Sequence, residues 1–315
     1  MGTLDVHAHL APIVPHRLAG LAGVDWSGQA QRLTLDGHVI GVKDLFYPER
    51  LLDWMDGQGM DRAWVSIPPP LYRQHLPLEQ ARQWVDYVNR ALPEVLAPHN
   101  PPANPPANPP SNPSSNSPSA PRLQALCWLP LEHPAIVESI LNDWDTGKYG
   151  NQYAGVALAA GGHADIVYSR NDWHFLWAFL QRHKSFVFIH PGTCADARLA
   201  PFYLENLLGN PYETAVAASH LVMAGIPQRY PDIRFCLAHA GGAFPCLCGR
   251  LERGFLTRRM GVPVDEVEPP LQAARRFYAD SIAHGDAALR LAQDIFGKDH
   301  ILYGSDWPFP MGVRG

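Results

Sequence analysis

The chain has 315 residues, 46% of them hydrophobic and 17% charged, with a formal net charge of −5. That balance excludes a disordered chain and leaves no polycationic face for nucleic acid or an anionic membrane surface. No apolar run is long enough to span a bilayer, and the first strand starts so close to Met1 that no signal peptide is expected. The five cysteines, Cys127, Cys194, Cys236, Cys246 and Cys248, are odd in number and scattered. They point to reduced thiols, and hence to a cytoplasmic protein.

The first predicted strand is Leu4-Asp5-Val6-His7-Ala8-His9-Leu10. Alternation in a strand turns His7 and His9 to one face and Val6, Ala8 and Leu10 to the other. Arg32 to Ile40 reads as a small hairpin turning at Asp36-Gly37, placed where it would cover the mouth of a barrel. A helix over Pro48–Gly59, a strand over Ala63–Pro68 and an amphipathic helix over Leu78–Leu96 follow. Residues 99–121 repeat Asn, Pro and Ser with no apolar side chain larger than Ala, so they are expected to form a disordered insertion within one domain spanning 1–315.

Alternation then resumes. Strands are expected at Leu123–Leu129, Ala154–Ala159, Ser185–Pro191, Ile233–His239, Phe277–Ile282 and His300–Asp306. Helices are expected between them at Pro134–Trp144, Trp173–His183, Tyr212–Ala224, Phe244–Arg259 and Ala287–Phe296. Eight strands alternating with helices is the count of an α/β (β/α)8 TIM barrel, whose site lies at the C-terminal ends of the strands. His7, His9, His190, His239 and Asp306 all fall at such ends, on strands one, five, six and eight. Neutral imidazoles with a carboxylate suit Zn2+ or another divalent first-row ion, and a further histidine beside the ion can move protons. Trp307 and Phe309, just beyond Asp306, are placed to wall a substrate site. His163, after Gly161-Gly162, is a further candidate for the pocket lining.

The motifs Asp5-x-His-x-His, Phe188-Ile-His-Pro, Leu237-Ala-His-Ala-Gly-Gly-Ala-Phe-Pro and Tyr303-Gly-Ser-Asp-Trp-Pro-Phe-Pro-Met-Gly are on the page together. With them the chain resembles the amidohydrolase superfamily, in its amidohydrolase-2 branch, typified by aminocarboxymuconate-semialdehyde decarboxylase. The resemblance implies one catalytic metal, usually zinc, with His7, His9, His190 and Asp306 as ligands and a water completing the shell. It implies that His239 is the proton-transfer residue and not a ligand. It also implies non-oxidative decarboxylation of a small-molecule carboxylic acid, aromatic or unsaturated. Arg250 and Arg258 match arginine positions of the family, the second reaching a neighbouring subunit's site, which implies a homodimer.

Three departures from the family pattern touch the pocket and none touches the metal set. The first-helix arginine falls in the register of Leu51, with Arg50 one position off; the hairpin lysine aligns with His38; and Gly192 stands where the family has Trp after His-Pro. The chemistry is therefore expected to persist while the substrate differs. The chain ends at Gly315, soon after the eighth strand, where family members continue, so a truncated end is expected. Two alternatives stand beside the decarboxylase: a metal-dependent hydrolase of a cyclic ester or amide, and a catalytically impaired, truncated binding protein.

Overall fold

The computed structural model describes residues 3–100, 121–148, 152–194, 196–259, 261–262 and 264–313. The expected disordered insertion at 99–121 lies, apart from its two ends, outside the described residues. In chain order the elements begin with β1 (Leu4–His9), α1 (Pro15–Leu18), β2 (Val24–Ser27), β3 (Arg32–Leu35), β4 (His38–Val39), α2 (Pro48–Gln58), β5 (Arg62–Ser66) and α3 (Leu78–Leu96). They continue with β6 (Leu123–Trp128), α4 (Pro134–Asp145), β7 (Tyr153–Ala160), α5 (His174–Arg182), β8 (Phe186–Pro191), α6 (Asn210–Met223), α7 (Ile226–Arg229) and β9 (Arg234–Leu237). The last are α8 (Phe244–Leu256), α9 (Pro270–Ala274), β10 (Tyr278–Asp280), α10 (Asp286–Phe296) and β11 (Ile301–Leu302).

Eight strands form one parallel sheet in the order β1-β5-β6-β7-β8-β9-β10-β11. The barrel closes back on β1 through single bonds. Val6 N–H donates to Tyr303 O at 3.0 Å, Asp306 N–H to His7 O at 2.8 Å, and His9 N–H to Trp307 O at 2.8 Å. This is the expected (β/α)8 barrel. The ladder of the eighth strand is short because the chain turns at Asp306, which sits in the left-handed region at φ 56°.

Strands buried on both faces need apolar residues throughout, and β8 meets that with Phe186, Val187, Phe188 and Ile189 all buried. Each such side chain contributes about 1.5–3 kcal/mol by leaving water. The neighbouring strand approaches closely only because it carries Gly155, where a Cβ would stand 2.3 Å from the Phe186 carbonyl oxygen. In α3, Pro93 has no N–H for the carbonyl of Asn89, and the hydroxyl of Tyr153 on β7 donates to that carbonyl instead. The Asn89 side chain in turn exchanges bonds of 2.8 and 2.9 Å with the main chain of Trp128, fixing α3 against the end of β6.

Two expectations are revised. The hairpin is a three-stranded sheet, because Val24–Ser27 pairs antiparallel with Arg32–Leu35; its Asp36-Gly37 turn is as expected, both residues having positive φ. The sixth barrel strand stops at Leu237 rather than running to His239. The Asp280 carboxylate accepts the main-chain N–H groups of His239 and Ala240, each at 2.9 Å, and draws them out of the ladder into a tight turn. Among the described residues no helix is long and apolar enough to cross a membrane.

Candidate metal centre and substrate cavity

Alternation along β1 presents His7 and His9 inward, both fully buried. Each imidazole is tied at one nitrogen, which frees the other. His7 Nδ1 lies 2.6 Å from Asp280 Oδ2, and His9 Nδ1 lies 3.1 Å from Ser66 Oγ at the end of β5. The two Nε2 atoms are 3.0 Å apart, and each is 3.3 Å from Asp306 Oδ1. His190, at the end of β8, donates from Nδ1 to the Pro191 carbonyl at 2.9 Å, with the Tyr72 hydroxyl 3.4 Å from the same nitrogen. His239 Nε2 lies 3.8 Å from Asp306 Oδ2. One ligand atom from each of His7, His190, His239 and Asp306 falls within 4.8 Å of all the others.

These residues fit a divalent cation. His190 Nε2 is buried with no hydrogen-bond partner, and the Nε2 atoms of His7 and His9 face each other beside one carboxylate oxygen. Lone pairs converging in this way need a shared positive charge. Burial holds His9 and His190 below the usual histidine range, in their neutral, ligating form. Burial would raise the Asp306 carboxyl, but its bonds to His239 and His7 outweigh that and hold it well below the usual range. Burial also opposes charging His7, yet Asp280 and Asp306 raise its pKa to about 10. A proton on His7 Nε2 and a divalent cation are thus alternatives for the same position. Three imidazoles and a carboxylate form a set suited to first-row divalent ions.

Asp280 is the chief residue that sequence reasoning missed. It orients His7 and holds the main chain of His239, the two jobs that would fix a candidate ligand ring and its neighbour. It ends β10, whereas the predicted seventh strand ran on to Ile282 and left it in mid-strand, out of reach of the rule that singled out His190 and His239. Asp5 and Ser305 were also missed as a pair. Ser305 Oγ donates to Asp5 Oδ2 at 2.5 Å, and Asp5 Oδ1 accepts from His7 N–H at 2.9 Å, tying β1 to the turn that carries Asp306. Burial raises the Asp5 carboxyl to about 6 against the pull of these bonds.

The cluster opens into a cavity of about 700 Å3 lined by His38, Tyr72, Gln74, His190, His239, Asp306 and Phe309, among others. The expected substrate residues divide. His38 lines the cavity from β4. Arg50 is exposed on α2, paired with Asp44 and stacked on Tyr47, outside the lining, as its one-residue offset implied. Arg250 is exposed on α8, and Arg258 pairs with Asp265 at 3.0 Å; neither lines this chain's own cavity. Trp307 is buried in the core, its carbonyl accepting from His9 N–H, so the wall expected of it is supplied by Phe309 alone. His163 lies outside the lining, although Gly162 beside it is part of the wall. The cation that does reach the cavity is Arg73, which no sequence argument singled out. Its Nε lies 2.8 Å from Asp36 Oδ2 and its Nη2 2.5 Å from Asp36 Oδ1, clamping the hairpin over the mouth.

Known proteins are similar to this chain in sequence and in fold. A family model described as amidohydrolase matches residues 117–313. The 2-amino-3-carboxymuconate-6-semialdehyde decarboxylase of Dictyostelium discoideum is 35% identical over 127 residues, 40% of this chain and 35% of the relative. The 6-methylsalicylic acid decarboxylase of Penicillium expansum is 35% identical over 137 residues, 42% of this chain and 41% of the relative. The match thus spans little more than a third of the length of these curated relatives. Among solved structures, apo IDCase of Metarhizium anisopliae superposes with a TM-score of 0.74 at 21% identity, covering 98% of this chain and 85% of that one. The 5-carboxyvanillate decarboxylase of Novosphingobium aromaticivorans, solved with manganese and a nitrobenzoic acid, gives 0.71 at 17% identity, covering 98% and 88%. At these identities the solved structures speak for the barrel. The family match, running from within the Asn/Pro stretch through β6 to the turn beyond Asp306, speaks for descent, and by it this chain belongs to the amidohydrolase family.

Proposed function

We propose that the protein is a metal-dependent, non-oxidative decarboxylase of an aromatic or unsaturated carboxylic acid. The observation that carries this is the position of His239. Its side chain is 15% exposed where those of His7 and His9 are fully buried, so it faces both the cluster and the cavity. That is the place of a proton carrier next to a bound acid. The decarboxylases among the similar proteins support the same reaction class.

His7, His9, His190 and Asp306 would hold the metal, which when bound supplies a Lewis-acid anchor for the acid's oxygen atoms. Zinc is the proposed ion, since three imidazoles with one carboxylate are a common zinc set; the manganese in a structural neighbour makes Mn2+ the chief rival. His239, its charge balanced by Asp306, delivers a proton from Nε2 to the carbon that bears the carboxylate. The bond to the carboxylate carbon then breaks, its electron pair returns to the ring or alkene, and carbon dioxide leaves. Phe309 and Tyr72 wall the cavity beside the cluster and limit water there.

A homodimer is proposed as the working form. It is supported by the apolar side chains of Phe202, Leu207, Leu208 and Tyr212, exposed next to the cavity, and by Arg258, which stands outside its own chain's site. Sedimentation of the purified protein at twice the monomer mass checks it. The five cysteines are free thiols, which supports a reducing, cytoplasmic setting. We take the chain as one barrel domain, with the Asn/Pro/Ser stretch inserted between α3 and β6.

The reaction is tested by carbon dioxide release from hydroxybenzoates and muconate-type acids with metal-loaded protein. Release from at least one acid, abolished by chelation, is expected. Hydrolysis of lactones or cyclic amides without any carbon dioxide release would overturn the reading.

A further inference from the structure

The loop after β5 sets Gln74 into the cavity wall, between the ends of β7 and β8. Gln74 is nearly buried and shares the lining with His190 and His239. Its Nε2 donates to the Gly161 carbonyl at 3.0 Å. Glu132 lies behind the same carboxamide; burial raises its carboxyl to about 7, and the interaction with Gln74 offsets part of that rise. The bond to Gly161 holds the nitrogen there, so the carboxamide oxygen turns the other way.

That oxygen occupies room left by two glycines. A Cβ on Gly162 would stand 2.0 Å from Gln74 Oε1, and one on Gly192 would stand 2.9 Å from it. Gly192 lies two residues beyond His190, and its absent side chain would also meet the ring of Tyr72 at 3.6 Å. The departure from the family's His-Pro-Trp pattern thus has a structural counterpart: a polar carboxamide oxygen fills the space next to the metal-bearing strand end. Among the hydrogen bonds of the described residues none is donated to Oε1.

We infer that Gln74 is a specificity-determining residue whose Oε1 accepts a hydrogen bond from a hydroxyl or amino group of the substrate. This rests on the decarboxylase reading of the same cavity and names the substrate class more closely. A carbonyl oxygen backed by Glu132 repels a carboxylate. The acid group must therefore lie toward His239 and the ligand cluster, with a second, hydrogen-donating substituent toward Gln74. A buried acceptor left without its donor costs more than an apolar mismatch, so the wall should reject acids that lack the substituent.

The test uses metal-loaded protein and matched hydroxybenzoates in which one ring hydroxyl is exchanged for methoxy or hydrogen. The wild type should favour the donor-bearing member by roughly tenfold in kcat/KM. Gln74→Met should erase most of that ratio while metal content stays at the wild-type level. Gly192→Ala, whose Cβ presses on Oε1, should reduce the ratio by a smaller factor. A wild type with no such preference, or a Gln74→Met variant that slows both members equally, would overturn the inference. If the wild type releases no carbon dioxide from any acid, the decarboxylase reading fails. The same pairs are then compared by calorimetric binding to wild type and Gln74→Met, where an unchanged ratio of affinities overturns the inference by itself.

Discussion

The ligand cluster and the outer wall of the cavity are built on opposite principles. In the cluster, rings are fixed from behind: His7 by Asp280, His9 by Ser66, His190 by the Pro191 carbonyl. Asp280 is itself held by the main chain of His239, Ala240 and Ile282. The wall is made largely of loops, among them those that carry Arg73, Gln74 and Gly192. On the proposed function, the barrel would make the metal chemistry rigid, and selectivity would be carried by loop segments that a few substitutions can re-aim.

Breaking the cluster should have the largest effect. His190→Ala should lower bound metal to roughly a tenth or less and remove turnover, read by metal analysis of the purified protein. Asp280→Asn leaves every ligand in place and should still weaken metal binding about 10–100-fold, because His7 loses the acceptor that aims it. Wild-type metal affinity in Asp280→Asn would mean that the cluster is not fixed from behind by Asp280.

His239 tests the boundary between them. His239→Asn should retain metal and lose about 10²–10⁴ in kcat. The geometry groups His239 with the possible ligands, so loss of metal in this variant would move it into the ligand set and leave the proton carrier unassigned.

The cluster was legible in the sequence because its histidines lie in or at the end of strongly apolar strand patterns. His190 follows Phe188-Ile189, and His239 follows Phe235-Cys236-Leu237. Asp280 escaped because Ser281 and Ile282 extend the strand pattern beyond it, while the chain leaves the sheet at Asp280 itself. The wall was legible only at His38 and Phe309. Tyr72-Arg73-Gln74-His75 reads as a solvated loop, and only the hairpin's Asp36 and the glycines at 161, 162 and 192 make it a cavity lining. Register against the family singled out Arg50, Arg250 and Arg258 as cations instead, and the chain turns all three away from its own cavity.

Within the wall, the Asp36–Arg73 pair should matter next. The Arg73 side chain is 2% exposed, so Asp36→Ala leaves a buried guanidinium without its bidentate partner. A loss of about 1.5–3 kcal/mol in stability is expected, with a severalfold rise in KM as the hairpin loosens. The Arg73 guanidinium holds the Asp36 carboxyl below its usual range. The support it gives is full above the ordinary aspartate pKa of about 4 and is lost as pH falls through the lowered value. Chemical denaturation of wild type and Asp36→Ala across acid pH checks this; curves that stay a constant distance apart would rule it out.

Glu132 should show the opposite sign and the smallest effect. Burial raises its carboxyl to about 7, so the folded state holds the proton more tightly than the unfolded chain. The resulting stability is complete below the ordinary glutamate pKa of about 4.3 and is lost as pH rises through about 7. Glu132→Gln keeps a neutral side chain behind Gln74 and removes the titration. Relative to wild type it should gain on the order of 1–2 kcal/mol by pH 8, after allowance for partial exposure, and differ little at pH 4. Asp36 and Glu132 both stand close to the cavity wall, one bonded to a buried cation and one beside the Gln74 amide. If their variants shifted stability in the same direction with pH, the charge partner would not be what distinguishes them.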